Sequence, residues 1–264
     1  IALLKKFTPA PARDYLRHGD VTDLAGLERL LATHGPRLAG VVIEAPTNPL
    51  IQTADLAAVT ALARRHGAKV ILDPAVSSPF NVDLLPHADI VAPSLTKYTA
   101  HKGDVIAGAV VVNTSRPDAD ELRRLVATQL EPVHPRDLAR LAAQIGATSQ
   151  FVARVNASTL RVATFLEQHP AVEKIWWALQ PATAANYRAI ARTPESVGGM
   201  ISFTLRGPLA KFYDAVRLPK GPSFGMTTTL ISPFMYLAHY DLVTSEAGRA
   251  ELAAHGLSPD LLRL

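Results

Sequence analysis

Asp73 ends the apolar run Val70-Ile71-Leu72, and farther along comes Ser94-Leu95-Thr96-Lys97. A carboxylate at the end of one buried strand and a lysine flanked by hydroxyls just past another are what pyridoxal phosphate requires of a protein. The lysine amine condenses with the aldehyde. The carboxylate keeps the ring nitrogen protonated, so the ring draws electrons from the substrate, and the hydroxyls bind the phosphate. Neither residue is diagnostic alone: an aspartate after a strand is commonly a turn residue, and a single lysine a surface charge.

The pattern around them supplies the missing context. Gly40-Val41-Val42-Ile43-Glu44 is a short apolar run followed by the turn-rich Ala45-Pro46-Thr47-Asn48-Pro49. Thr53 is placed to cap a helix in which Leu56, Val59 and Leu62 recur at helical spacing, stopping at Gly67. Strands are predicted at Lys69 to Asp73, Asp89 to Ala92 and Val105 to Val112, the last apolar on both faces. Strands without polar alternation, separated by helices, predict an α/β fold with a mainly parallel sheet covered on both sides. Ligands gather at the carboxyl ends of such strands. Asn48, Asp73 and Ser94 to Lys97 all fall there.

Beyond the sheet, Arg136 to Glu167 reads as one or two long helices, with strands at Ala171 to Trp177 and Gly199 to Leu205. Leu209 to Val216 and Tyr236 to Leu252 contain helical stretches. Two domains are expected: a cofactor-binding domain, partial, over 1–145, and a smaller α/β domain over 146–264 that includes the long linking helix.

Composition sets the outer limits. The chain has 264 residues, 48% hydrophobic and 19% charged, which suits a globular protein with a sizeable core. No uninterrupted apolar run is long enough for a membrane span. The opening Ile1-Ala2-Leu3-Leu4-Lys5-Lys6 puts its charges after the apolar stretch, the reverse of a secretory leader. Zero cysteines remove disulfides, thiolate metal sites and a cysteine nucleophile, and a cytoplasmic location is expected. The net charge of +4 comes from scattered pairs such as Arg64-Arg65, so nucleic acid is not an expected partner. No metal site is expected.

Several motifs in order then resemble one family, the Cys/Met-metabolism enzymes dependent on pyridoxal phosphate, in particular their cystathionine γ-synthase-like group. They are Glu44-Ala45-Pro46-Thr47-Asn48-Pro49, the strand ending in Asp73, Ser94-Leu95-Thr96-Lys97-Tyr98 and Gly103-Asp104-Val105-Ile106-Ala107-Gly108. Gly198-Gly199-Met200-Ile201-Ser202-Phe203, Ser223-Phe224-Gly225 and Leu261-Leu262-Arg263-Leu264 continue the match. The resemblance implies the aspartate-aminotransferase-like fold, type I among pyridoxal-phosphate enzymes. It implies that Lys97 holds the cofactor and shuttles protons once substrate displaces it. Asp73 then pairs with the ring nitrogen, and Ser94 and Thr96 bind the phosphate. Asn48 faces the ring hydroxyl or the substrate carboxylate, Arg263 clamps that carboxylate with its planar fork, and Ser223 lies near both. His101, His239 and Tyr240 receive no role.

The implied reaction is γ-replacement on an activated homoserine by a thiol, in sulfur amino-acid metabolism. Asn81 to Asp89 and Thr227-Thr228-Thr229-Leu230 are similar to the fungal-type branch, which favours replacement. The alternatives are a cystathionine or methionine lyase, a homoserine sulfhydrylase, and an inactive homologue that serves only subunit assembly. The family's shared sites imply a homodimer or homotetramer acting on small amino acids. Ser94-x-x-Lys97 also fits the serine β-lactamase pattern, but the Ser-Asp-Asn and Lys-Thr-Gly tripeptides that must accompany it are missing.

Three departures stand out. The family's N-terminal portion, which supplies a phosphate-holding loop, a ring-stacking tyrosine and an arm to the partner subunit, has no counterpart here, and the family runs on past Leu264. The chain is therefore expected to be part of a longer protein. Pro74-Ala75 follow Asp73 where the family usually has Asn or Glu and then Thr, and Ala107 replaces a glycine.

Overall fold

In this computed structural model the described residues are 22–264; the opening stretch Ile1 to Lys6 lies outside them. Helix α1 (Leu24–His34) starts at Asp23, whose carboxylate accepts the Gly26 N–H at 2.7 Å. Strand β1 (Gly40–Glu44), helix α2 (Leu56–Arg65), β2 (Lys69–Asp73), β3 (Ile90–Val91) and β4 (Val111–Val112) follow. The strands form one sheet in the order β1-β2-β3-β4. β1 to β3 run parallel, and β4 is antiparallel to β3. The parallel register sets Glu44 directly opposite Asp73. Both carboxylates thus stand at the carboxyl edge.

Two local expectations give way. Thr53 does not cap α2. Asp55, immediately before the helix, accepts the Ala58 N–H at 2.9 Å, because a capping oxygen reaches only two or three residues forward. The Thr53 hydroxyl is buried without a hydrogen-bond partner among the described residues. The run Val105 to Val112 is also not one strand. Ala107 turns toward the lysine segment, its carbonyl accepting both the Leu95 and Thr96 N–H groups at 2.9 and 3.1 Å, and only Val111–Val112 pair with β3. The apolar pattern records burial there, but the backbone bonds belong to the neighbouring loop.

One face of this sheet is packed. Val70 and Leu72 are fully buried against Val59, Leu62 and Ala63 of α2, each such side chain contributing roughly 1.5–3 kcal/mol of transfer free energy. The other face differs from the expected double cover. Val42, Ile71, Ile90 and Val112 lie in register across the four strands, and Val42 is 53% exposed.

Helix α3 (Ala119–Gln129) leads to α4 (Pro135–Ile145) and the long α5 (Thr148–Gln168), so the predicted helical region is two helices broken at Gly146-Ala147. The remainder is β5 (Val172–Trp176), α6 (Ala184–Ile190), β6 (Ser202–Leu205), α7 (Leu209–Ala215), β7 (Ser232–Pro233), three short helices α8 (Phe234–Ala238), α9 (Tyr240–Thr244) and α10 (Glu246–Ala254), and β8 (Leu262–Arg263). Their strands form a second sheet, antiparallel throughout, in the order β5-β6-β8-β7. The final strand sits between two neighbours, which is why Arg263, at the end of the chain, is only 5% exposed. Val70 and Leu72 of the first sheet share one apolar cluster with Phe203 and Leu262 of the second. Among the described residues no helix is long and apolar enough to cross a membrane.

Candidate active site

The lysine segment leaves β3 through Pro93, and Ser94 bridges Gly108 across the loop. The Thr96 hydroxyl accepts the Ala107 N–H at 3.0 Å and lies 3.3 Å from the Ala107 carbonyl. The first bond fixes the loop. The second is long, and the hydroxyl proton is free to turn to a stronger acceptor such as a phosphate oxygen. Ser94 is half-buried, and its hydroxyl has no hydrogen-bond partner among the described residues.

Lys97 reaches across the molecule. Its Nζ donates to the Ser223 Oγ at 2.7 Å and stands 4.9 Å from the Phe224 ring centroid. The same cluster holds Arg263, whose guanidinium carbon lies 5.4 Å from the Phe224 centroid and 4.9 Å from that of Phe234. Arg263 donates from one nitrogen to the Asn48 Oδ1 at 3.2 Å and from the other to the Pro222 carbonyl. Burial lowers the pKa of the Lys97 ammonium, and the Arg263 charge lowers it further. Burial also lowers Arg263, which nevertheless stays charged at any working pH.

Asp73 joins this group through Glu44. The Asp73 carboxylate accepts the Ala75 N–H at 2.8 Å, and its carboxyl is pushed up by burial against that opposing bond. Glu44, its register partner, accepts the Asn48 N–H at 2.9 Å. Although Glu44 is exposed over much of its surface, desolvation at the strand end pushes its carboxyl up, Asn48 opposes this, and the Asp73 charge adds to it. The substitution Pro74-Ala75 leaves the bond to Asp73 intact, because a backbone N–H makes it.

Of the residues singled out from the sequence, Asn48, Lys97, Ser223 and Arg263 are thus brought into direct or once-removed contact. Asp73 connects by way of Glu44, and Ser94 and Thr96 by their own loop. Sequence reasoning assigned nothing to Glu44, Phe224 or Tyr98. Each lies inside a quoted motif beside a chosen residue, and only the fold reveals its contacts. His101 stays apart from this group, stacked on Phe151 at 4.9 Å between centroids.

The cluster has a definite chemical demand. Lys97 and Arg263 form no ion pair among the described residues, so two partly or fully buried cations face one another without a carboxylate between them. Desolvated cations of this kind call for an anion. An amine with a lowered pKa has a larger neutral fraction and so attacks an aldehyde more readily. A half-buried Asp73 gains from a cationic ring nitrogen. Pyridoxal phosphate with an amino-acid carboxylate meets all three demands, and the residues present fit it.

Comparison with known proteins agrees. The profile of the family described as Cys/Met metabolism PLP-dependent enzyme matches residues 14–264. An L-2-amino-4-chloropent-4-enoate dechlorinase/desaturase of Streptantibioticus cattleyicolor is 40% identical over 95% of this chain and 50% of its own length. A cystathionine γ-synthase of Neurospora crassa is 34% identical over 100% of this chain and 42% of its own. The chain therefore spans half or less of the length of these curated relatives. Among solved structures, a cystathionine γ-lyase from Micromonospora echinospora superposes with a TM-score of 0.78 at 29% identity, covering 94% of this chain and 64% of that one. The fold is that of the type I pyridoxal-phosphate enzymes.

Proposed function

The chain belongs to the Cys/Met-metabolism family of pyridoxal-phosphate-dependent enzymes, and on that premise we propose that it acts on an amino acid carrying a leaving group at Cγ, replacing that group with a thiol. The observation that carries this reading is that Lys97, paired with Ser223, and Arg263, paired with Asn48, both lie against the Phe224 ring. An amine and a carboxylate anchor gathered at one ring suit a substrate held by its α-carboxylate with its Cα beside the amine.

When bound, pyridoxal phosphate supplies the electron sink that makes the Cα and Cβ protons labile. Lys97 Nζ holds the cofactor at rest and, once released, accepts the Cα proton and returns it to a neighbouring carbon. Ser223 Oγ accepts a hydrogen bond from that amine and aims it. Arg263, steadied by Asn48, would bind the α-carboxylate, and Asp73 would pair with the ring nitrogen. Ser94 and Thr96 take the phosphate. The small-molecule substrate and the homodimer or homotetramer implied by the resemblance belong to the same proposal, as does the division near 145 between a cofactor-binding and a smaller domain.

Elimination without an incoming thiol is the second reading. What favours it is the dechlorinase relative, more similar at 40% than the synthase at 34%, whose named substrate carries chlorine at Cγ. Both readings break the bond from Cγ to the leaving group, which departs with the electron pair; they differ in whether a thiol then adds.

The test is borohydride reduction of full-length protein with cofactor, followed by peptide mapping, and then incubation with an O-acylated homoserine with and without cysteine. A pyridoxyl label at Lys97 and a thioether product support the proposal. Label with only keto acid and ammonia turns it to elimination. An unlabelled Lys97 means an inactive homologue.

A further inference from the structure

Tyr98, next to Lys97, has a backbone that side chains rarely adopt. Its φ is 56°, in the left-handed region, where a bulky residue is strained. Its ring is nevertheless completely buried, packed with Phe151, Val152, Val155 and Phe224. Strain of this kind persists only where the surroundings hold it, and three bonds do so. The phenol donates to the Val76 carbonyl at 2.8 Å and accepts the Gly199 N–H at 2.9 Å. The backbone N–H donates to the Gly225 carbonyl at 2.7 Å.

Two of those three partners belong to segments that carry the site. Val76 follows Asp73 by three residues, and Gly225 follows Ser223 by two. Gly199 lies between α6 and β6, on the way into the second sheet. Two of the partners are glycines that a side chain would crowd, Gly225 against Tyr98 itself and Gly199 against Val155 and more mildly the phenol. A Cβ at Gly225, itself at φ 69°, would stand 2.8 Å from the Tyr98 nitrogen, and one at Gly199 would stand 3.2 Å from the phenol oxygen and 2.6 Å from Val155. The contacts are thus too tight for ordinary side chains and specific to this pairing.

We propose that Tyr98 is the positioning residue of the Lys97 site, fixing the lysine by tying the Asp73 segment, the Ser223 loop and the Gly199 turn to its own backbone. Its phenol touches neither substrate nor cofactor and acts through Lys97. Without the phenol bonds the left-handed turn relaxes, and the Lys97 Nζ loses its fixed distance to Ser223 Oγ. The inference rests on the role given to Lys97 above.

The experiment compares Tyr98→Phe with Tyr187→Phe in full-length protein. Tyr187 is an equally buried phenol in the same interior; it donates to Ser77 Oγ at 3.0 Å, one residue past Val76, but its phenol bonds neither the Ser223 loop nor the Gly199 turn, and its backbone is not part of the lysine segment. Four quantities are read: melting temperature, cofactor dissociation constant, borohydride labelling at Lys97, and the pH midpoint of the bound cofactor's visible band. Both variants should melt earlier. Tyr98→Phe alone should raise the dissociation constant about tenfold, since it removes both phenol bonds but acts on the cofactor only through Lys97, and displace the pH midpoint. A Tyr98→Phe protein with wild-type dissociation constant and midpoint overturns the positioning role, as do equal shifts in both variants. Wild-type protein that takes no label at Lys97 overturns the functional reading as well, whereas label on wild type with an unaffected Tyr98→Phe removes only the positioning role. Should Tyr98→Phe not fold, amide exchange of the wild type decides. Cofactor should slow exchange at the Gly199 N–H more than at the Gly198 N–H, which is bound to Asn156 instead, and equal slowing refutes the role.

Discussion

Replacing Arg263 by lysine separates two jobs that the structure allows this side chain. Two of its five N–H groups are already engaged, one on Asn48 at 3.2 Å and one on Pro222, so Arg263 stitches β8 to the β1 loop. Three remain for a ligand. Lysine keeps the charge but reaches one acceptor direction at a time and cannot hold a carboxylate with two parallel bonds. Losing one charge-assisted bond costs about 1.5–3 kcal/mol, which corresponds to about a 10- to 150-fold rise in KM for the amino acid. The protein side should also suffer, since Asn48 and Pro222 lose a shared donor, and the melting temperature should fall. Steady-state kinetics with the amino acid varied, beside cofactor titration and thermal melting, checks this. KM should climb while cofactor affinity changes little. If the melting temperature drops but KM moves less than about twofold, Arg263 is a structural stitch and the carboxylate is bound elsewhere.

Further outcomes follow from burial and charge. Lys97→Met should change the pH dependence of the cofactor-free protein's stability. The folded-state pKa of Lys97 is depressed below its ordinary 10.5, so its buried charge destabilises the fold fully at neutral pH, and stability is regained as pH rises through that window. The melting temperature of Lys97→Met relative to wild type should therefore be highest near neutrality and decline toward pH 10.5; a pH-independent difference contradicts it. Asp73→Asn has the opposite sense, since a raised carboxyl is destabilising above its ordinary 3.8. Its gain in cofactor-free melting temperature at pH 7 should vanish in acid, while turnover of the loaded enzyme drops. Thr96→Val strands the Ala107 N–H and should cost about 1–3 kcal/mol in urea unfolding, with a weaker hold on cofactor as well.

The sequence made some features legible and hid others for physical reasons. Apolar runs ending in Asp73 and in the Ser94 loop reported burial directly, and parallel order then placed them on one edge. The lysine, the aspartate and their hydroxyls needed only that placement. Val105 to Val112 misled because hydrophobicity records where a side chain goes, not which carbonyl its backbone meets, and Ala107 bonds to the Lys97 loop. Thr53 misled because two residues of offset decide whether an oxygen reaches a helix N–H. Tyr98 was invisible as a functional residue. Its importance lies in partners at Val76, Gly199 and Gly225, far apart in the chain, and no local pattern encodes a left-handed tyrosine. Gly198-Gly199 and Gly225, inside the later motifs, were the available signal, since a glycine marks where a neighbour can approach the backbone closely.

The pairing of residues distant in sequence also bears on how the protein becomes competent. Lys97 and Ser223 are 126 residues apart, and Asn48 and Arg263 are 215 apart. Contacts of such span are closed late, after the local helices and the parallel strands, because the loop-closure entropy precedes the reward. During synthesis Asn48 leaves the ribosome long before its partner strand exists. Cofactor uptake therefore waits on β8, whose docking between β6 and β7 brings Arg263 in. The yellow colour of bound pyridoxal phosphate would then mark chains in which Asn48 and Arg263 have met, and a refolding experiment should show it rising after the far-ultraviolet signal of the helices, with the slower phase removed when residues 261–264 are deleted.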